Sequence, residues 1–163
     1  MEQLFRVVII FSLLTLSLFG FFTVMNVLFP KRVSRTQNIL QQTYGRSFWI
    51  GLVNVLFFLP IALLLFSLGD ATTGPLKAIL TIPALFLLAV LLGLASFGLL
   101  SMVNIVGERI MPDQTTLKQT FWGTLLLSLA CALPFVGWFL LLPYILIIGV
   151  GAVILGFFQR ETA

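Results

Sequence analysis

The chain has 163 residues, of which 60% are hydrophobic and 9% are charged, and its formal net charge is +4. Soluble domains contain roughly 45–50% apolar and about 25% charged residues, so a soluble fold of this length could not bury so much apolar surface. No polar stretch approaches the roughly 50 residues of a small domain. The composition therefore predicts an all-α integral membrane protein that forms a single membrane domain over residues 1–163.

Apolar segments separated by charged and turn-forming residues predict a bundle of four transmembrane helices. They cover about residues 4–29, 48–68, 76–104 and 138–158. The third is expected to continue as a hydrated extension to Ile110. The first contains about 23 apolar residues after Arg6, more than the 7–15 of a signal-peptide core, so we expect it to be retained.

The last apolar run, from Phe121 to Phe158, contains no charged residue and is too long for one membrane helix. A helix of this length would reach about 57 Å, against a hydrocarbon core of about 30 Å. We predict a break between Pro134 and Gly137, with residues 121–133 forming a half-helix or a bent entrance to the last span. Two arrangements stay open. Either residues 121–133 dip into the membrane and the chain returns, which leaves the C-terminus inside, or they form an interfacial or tilted extension of one span.

The first loop combines basic residues with a helical pattern. Ser34 and Gln37 fit a capping box, which predicts a short interfacial helix over about residues 35–44 that ends at Gly45. Near anionic headgroups, each Lys or Arg contributes on the order of 1 kcal/mol. The candidate headgroup ligands are Lys31, Arg32 and Arg35. The alternative is that these side chains serve only as a topology signal.

Basic residues are concentrated in the first and third loops. Arg46 adds to the three in the first loop, and Arg109 and Lys118 lie in the third, whereas the opposite side holds Arg6 and Lys77. The positive-inside rule therefore predicts that loops one and three face the cytoplasm and that the N-terminus faces outward.

The chemistry of the side chains argues against catalysis. The chain has no His, and its single cysteine, Cys131, lies in an apolar segment. All five acidic residues lie in predicted loops or tails, so no proton relay or ion-coupled pump is indicated. We expect no enzyme activity, no metal and no cofactor, although a bound lipid or pigment remains open.

Asparagine side chains are the main polar groups inside the predicted spans. Asn54, near the start of the second span, and Asn104, near the end of the third, are the candidates for hydrogen bonds between helices. The alternative role for Asn54 is contact with a substrate or pigment.

Several short motifs recur in a known kind of membrane module. They are Gly45-Arg46-Ser47 through Leu59-Pro60, Thr73-Gly74-Pro75, Gly107-Glu108-Arg109 and Leu133-Pro134-Phe135-Val136-Gly137-Trp138. In these motifs, over about residues 45–160, the chain resembles the bacterial multi-helix membrane module found C-terminal to bactofilin-type polymer-forming domains. In place of the β-rich domain it carries the first apolar helix. The resemblance implies a location in the bacterial cytoplasmic (inner) membrane and no catalytic residues.

These observations favour a non-catalytic accessory or scaffold subunit of a larger membrane complex. The 17 phenylalanines suit packing against partner helices and lipids. We expect the partners to be other membrane protein subunits and anionic lipids, and no nucleic acid. The alternative is a small channel or transporter with a path at the broken final helix, since broken helices often line transport sites.

Overall fold

The computed structural model describes residues 2–133 and 135–158, with the backbone alone at Leu4. Over these residues the protein is helical and has no strand. The α-helices are α1 (Glu2–Leu28), α2 (Pro30–Gln42), α3 (Tyr44–Ala71), α4 (Pro75–Ile110), α5 (Thr116–Ala132) and α6 (Leu142–Phe158). A π-helical turn, Gly137–Leu141, precedes α6. The predicted all-α class is confirmed.

Four segments of the described chain are long and apolar enough to cross a membrane. They are Phe5–Leu28, Tyr44–Ala71, Pro75–Ile110 and Gly137–Phe158. Their number matches the four predicted spans. The third continues to Ile110, as expected, and the second begins at Tyr44, four residues before its predicted start.

Helix α2 differs from its sequence-based prediction at both ends. It begins at Pro30 and ends at Gln42, so the predicted range of 35–44 was shifted. The capping-box interpretation is wrong, because Ser34 lies inside the helix and its hydroxyl donates to the Lys31 carbonyl at 3.2 Å. Proline starts helices readily, since its fixed φ suits the first turn and its missing N–H needs no partner there. Gly45 therefore does not end α2 but lies in the first turn of α3.

Glycines allow the long helices to approach one another closely. The crossings of α3 with α6, α4 with α6 and α4 with α5 are made at Gly51 and Gly151, Gly98 and Gly149, and Gly107 and Gly123 respectively. A Cβ atom at any of these positions would overlap backbone atoms of the opposite helix. Without a hydrophobic drive between helices in lipid, such close packing is a main source of association.

Helix α2 is docked on the bundle. Two buried apolar clusters hold it. The first joins Ile39 and Leu40 of α2 to Ile105, Ile148 and Ala152. The second joins Val33 of α2 to Phe22, Leu100 and Val103. Because one face of α2 is fixed in this way, its remaining faces keep defined positions relative to the neighbouring helices α1, α3, α4 and α6.

The turn between α3 and α4 is polar. Gly74 has a φ of 76°, in the region that favours glycine, and directly precedes the first residue of α4. Lys77 and Asp70 form an ion pair at 3.3 Å across this turn. These groups suit an aqueous membrane surface.

The connection between α5 and α6 is apolar. Helix α5 ends at Ala132, and Leu133 is extended, with a ψ of 118°, as expected for a residue that precedes a proline. The N–H of Gly137 donates to the Leu133 carbonyl at 2.9 Å, which closes a tight turn. The predicted break includes Gly137, while Pro134 lies outside the described residues. The π-helical turn ends two residues before Pro143, which has no N–H for the helical ladder.

Candidate ligand cavities around helix α2

A polar cavity of about 570 Å³ lies between α1, α2, α4 and α5. Helix α2 contributes one continuous face to it, because its lining residues are spaced three or four apart. They are Pro30, Val33, Ser34, Gln37, Asn38 and Gln41. Residues at this spacing point to the same side of a helix, so the sequence of α2 alone produces this polar wall.

The other walls of the polar cavity carry amides, hydroxyls and one carboxylate. They are contributed by Thr23, Asn26, Asn104, Glu108, Thr116, Gln119 and Thr120, with Val27 and Leu117. Within the described structure no Lys or Arg lines this cavity. Amides and hydroxyls both donate and accept hydrogen bonds, so the cavity suits water or an uncharged polar ligand.

A hydrogen-bond network between three helices forms the deep end of this cavity. The Asn104 amide nitrogen donates to Asn26 Oδ1 at 2.9 Å, and the Asn26 nitrogen donates to Asn104 Oδ1 at 3.3 Å. Asn26 also donates to the Thr120 hydroxyl at 3.0 Å. That hydroxyl in turn lies 3.0 Å from Asn104 Oδ1 and 2.9 Å from its own helix carbonyl at Thr116. The network joins α1, α4 and α5.

The two asparagines singled out by sequence therefore have different surroundings. Asn104 is buried and bonds across helices. Asn54 donates to the Ile50 carbonyl of its own helix at 2.7 Å. Asn54 follows Ile50 by one turn, so a local acceptor lies within reach of its amide.

A second, smaller cavity of about 180 Å³ lies on another face of α2, against the end of α6. It is lined by Arg32, Arg35, Thr36, Val153, Gly156 and Phe157. The Arg32 guanidinium carbon lies 4.8 Å from the centre of the Phe157 ring, which is a cation–π contact. Lys31, the third predicted headgroup ligand, is exposed on the first turn of α2 and does not line this cavity. The two arginines also lie near the C-terminal end of α6, where the helix dipole favours cations.

A third cavity, of about 390 Å³, is almost wholly apolar. It is lined by Phe11, Leu14, Leu18, Phe22, Leu99, Leu127, Ser128, Cys131, Ala132, Trp138 and Leu142. It lies between α1 and α5 and reaches the turn that precedes α6. The free thiol of Cys131 is thus beside apolar side chains.

Sequence reasoning missed the amide face of α2 and the partners of Asn104. The signal for the first was present, since Gln37, Asn38 and Gln41 follow one another at helical spacing. The pairing of Asn26 with Thr120 joins residues 94 positions apart and has no local signal. No group of His, Cys, Asp and Glu suited to a metal ion occurs among residues 2–133 and 135–158.

Comparisons with protein families, curated proteins and solved structures found no match. The resemblance to the bactofilin-associated module thus stays a prediction.

Proposed function

We propose that this protein is a non-catalytic accessory or scaffold subunit of a larger membrane complex. The observation that carries the proposal is a small-residue face on the outside of α4, formed by Ala89, Gly93 and Ser96. A Cβ atom built on Gly93 would meet nothing within 4 Å, although glycines in the bundle interior are used at helix crossings. Small residues spaced three or four apart lie on one side of a helix and permit close approach of a partner helix in lipid, and glycine costs about 1 kcal/mol of helix propensity relative to alanine. We infer that the small-residue face of α4 packs against a helix from another subunit.

The outer half of α1 supports the same proposal. Between Glu2 and Leu14 no described side chain is buried, and the first buried residue of the helix is Thr15. This half of α1 makes little contact with its own bundle, so its surface is free for other helices or lipid.

The deciding experiment is the native mass and composition of the complex after gentle extraction from its own membrane. Other subunits should co-purify in fixed proportion. Gly93→Leu should fill the α4 face and release them, whereas Gly20→Leu serves as the matched control. Gly20 also has open space around it, but it lies on α1, outside the proposed α4 face. Recovery of the wild-type protein alone, or equal effects of the two variants, would contradict the proposal.

The alternative is a small channel or transporter, and the polar cavity is the observation that favours it. The hydrogen-bond network closes the deep end of this cavity, and beyond it Leu100 and Val103 of α4 are buried with Phe22 in an apolar cluster. The cavity beside the broken final helix is apolar. Transport would therefore require a rearrangement that opens a polar path, and a liposome flux assay with the purified protein tests this directly.

We further propose that α5 and α6 form a re-entrant hairpin, with both its ends on the cytoplasmic side. The first turn of α5 lines the polar cavity beside α2, and Gly156 of α6 lies near Ile39 and Arg35 of α2, so both ends lie near the same helix. With 17 residues, α5 is about 25 Å long, less than the hydrocarbon thickness of about 30 Å. The tip of the hairpin is apolar and exposed, with Phe135 79% accessible, in contrast to the polar turn between α3 and α4.

Cysteine accessibility tests the hairpin in a Cys131→Ser background. A membrane-impermeant maleimide added from outside should label Thr73→Cys in the α3–α4 turn and should not label Phe135→Cys at the tip. Equal labelling of both positions would show that the α5–α6 turn reaches the outer surface.

The orientation that we propose places α2 at the cytoplasmic surface of a bacterial inner membrane. There Lys31, Arg32 and Arg35 would contact anionic headgroups, with the two arginines in their cavity beside α6. Neutralising the three side chains to Gln should loosen or invert the topology, while Arg6→Gln, on the opposite side, should leave it intact. An unchanged accessibility map for the triple variant would contradict the orientation.

A further inference from the structure

We propose that the polar cavity between α1, α2, α4 and α5 binds an uncharged polyhydroxylated group of the sugar or polyol class. The group is either a free solute or the headgroup of a membrane glycolipid, since both present the same hydroxyls. The inference concerns a ligand of this chain alone, so it is independent of the subunit role.

The polar cavity is closed at its deep end. The Asn26 amide donates to the Thr120 hydroxyl there at 3.0 Å, which joins α1 to α5. The two helices also touch through the rings of Phe19 and Phe121, which lie edge to face with their centroids 5.3 Å apart. Phe22 is buried in the apolar cluster beyond the network. The polar cavity is therefore separate from the apolar one, and the group that enters it has to be polar throughout.

The opposite end of the polar cavity lies at the ends of two helices. Glu108 is two residues from the end of α4, Thr116 is the first residue of α5, and both are exposed. One helical turn further in, about 6 Å along each axis, Asn104 and Thr120 are buried. The cavity thus leads from the polar loop between α4 and α5 to the hydrogen-bond network, and a ligand from the aqueous side can enter it.

The walls of the polar cavity present amides that a ligand can use. On α2, Gln37, Asn38 and Gln41 make no side-chain hydrogen bond to another described residue, and the last two are exposed. On the facing wall, the Gln119 amide nitrogen donates to the Met111 carbonyl at 2.9 Å, which leaves its oxygen as an acceptor. The apolar clusters fix α2 on the bundle, so its amides are positioned before a ligand binds.

The charge and the aromatic content of the lining select the ligand class. No Lys or Arg among the described residues lines the cavity, and the Glu108 carboxylate would repel an anion. The same part of the chain contributes no aromatic ring to the lining, so an organic cation has no cation–π partner and a flat ring has no stacking surface. Hydroxyl groups both donate and accept, so they match amides and can also donate to Glu108.

The size of the cavity suits such a ligand. Its volume of about 570 Å³ lies within the roughly 300–1,000 Å³ of small-molecule sites. The arginines that could bind a phosphate line a different cavity, on another face of α2. An uncharged polyhydroxylated group therefore fits the polar cavity better than an anion, an organic cation or an aromatic ligand does.

Saturation-transfer NMR on the purified full chain in phosphatidylcholine nanodiscs, prepared without sugar detergents, tests the site. The probes are sorbitol, gluconate and N-methylglucamine, which share one polyhydroxylated carbon chain and differ in charge. Sorbitol should have the lowest dissociation constant of the three. A second set of nanodiscs contains glucosyl diacylglycerol. Weaker sorbitol binding in that set identifies the glycolipid headgroup as the occupant, and unchanged binding identifies a free solute.

A matched pair of variants places the binding in the polar cavity. Gln37→Leu should raise the dissociation constant for sorbitol about fivefold, the equivalent of one hydrogen bond. Gln42→Leu is the control, because Gln42 is exposed at the end of α2 and does not line the cavity, and it should bind like the wild type. Binding of none of the probes, preference for gluconate or N-methylglucamine, or equal effects of the two variants would overturn the proposal. Because the protein is purified alone, none of these results depends on whether it belongs to a complex.

Discussion

Among the described residues of α4, Asn104 is the only one whose side chain bonds both Asn26 and Thr120. Replacing Asn104 by Leu should remove these hydrogen bonds. Leucine has the same number of side-chain heavy atoms as asparagine, branches at the same carbon and favours helix, so the change removes polar contacts with little effect on α4 itself. The expected result is a less stable bundle in which α1 is held more loosely against α4 and α5.

The magnitude follows from the hydrogen bonds that are lost. Two of them join Asn104 to Asn26, and hydrogen bonds between membrane helices average about 0.6 kcal/mol, giving about 1.2 kcal/mol for the pair. The Thr120 hydroxyl has a single proton and can donate instead to the Thr116 carbonyl, so its loss adds less than a full bond. The polar cavity borders the network, so water can hydrate the abandoned Asn26 amide and limit the penalty. We expect a loss of about 1–2 kcal/mol in the free energy of unfolding.

Reversible unfolding in mixed micelles, followed by circular dichroism, measures this loss. A double-mutant cycle with Asn26→Leu should give a coupling energy of about 1 kcal/mol, because the two asparagines bond mainly to each other. Asn54→Leu is the matched control, since Asn54 bonds only within its own helix, and it should change stability by less than about 0.5 kcal/mol. A coupling energy near zero, or equal destabilisation by Asn54→Leu, would refute the reasoning.

Three further predictions concern the packing, and the same unfolding measurement tests each of them. Gly51→Ala should lower the free energy of unfolding by about 1–3 kcal/mol because the added Cβ overlaps a carbonyl of α6. Gly45→Ala is the control, since Gly45 has open space around it, and it should be nearly neutral. Similar losses for the two variants would contradict the close crossing of α3 and α6. Ser47→Ala should stabilise by up to about 1 kcal/mol because it removes a buried hydroxyl without a partner. Ser101→Ala should change stability by less than about 0.5 kcal/mol because its hydroxyl bonds only the Phe97 carbonyl one turn earlier in its own helix, and equal effects of the two substitutions would be inconsistent with these environments. Gly137→Ala should disturb the α5–α6 turn, since its Cβ would press on the last turn of α5, and an unchanged stability would show that the turn is looser than described.

The long elements of the fold were predictable because lipid imposes a simple rule. Every backbone group in the hydrocarbon must be bonded internally, so each apolar segment of sufficient length becomes a helix. The sequence therefore predicted four spans and an interruption of the final run. The start of α2 was also encoded locally, at Pro30, but the capping pattern at Ser34 competed with it and led to the wrong boundary. At the candidate site, the spacing of Gln37, Asn38 and Gln41 indicates an amide face on α2, and the sequence-based prediction did not include it.

By itself, the sequence determined the helical class, the four segments long and apolar enough to span a membrane, and the charged loops of this protein, since these depend on composition and on residues close together in the chain. Only the tertiary structure decided that α2 docks on the bundle, and that Asn104 bonds Asn26 and Thr120 while Asn54 bonds its own helix. It also decided that a polar cavity lies beside α2 and a separate apolar cavity lies between α1 and α5. In lipid nearly every helix face is apolar, so hydrophobic patterning does not indicate which faces meet. Helix contacts are decided by where glycines permit close approach and where polar groups find partners, and both depend on residues far apart in sequence.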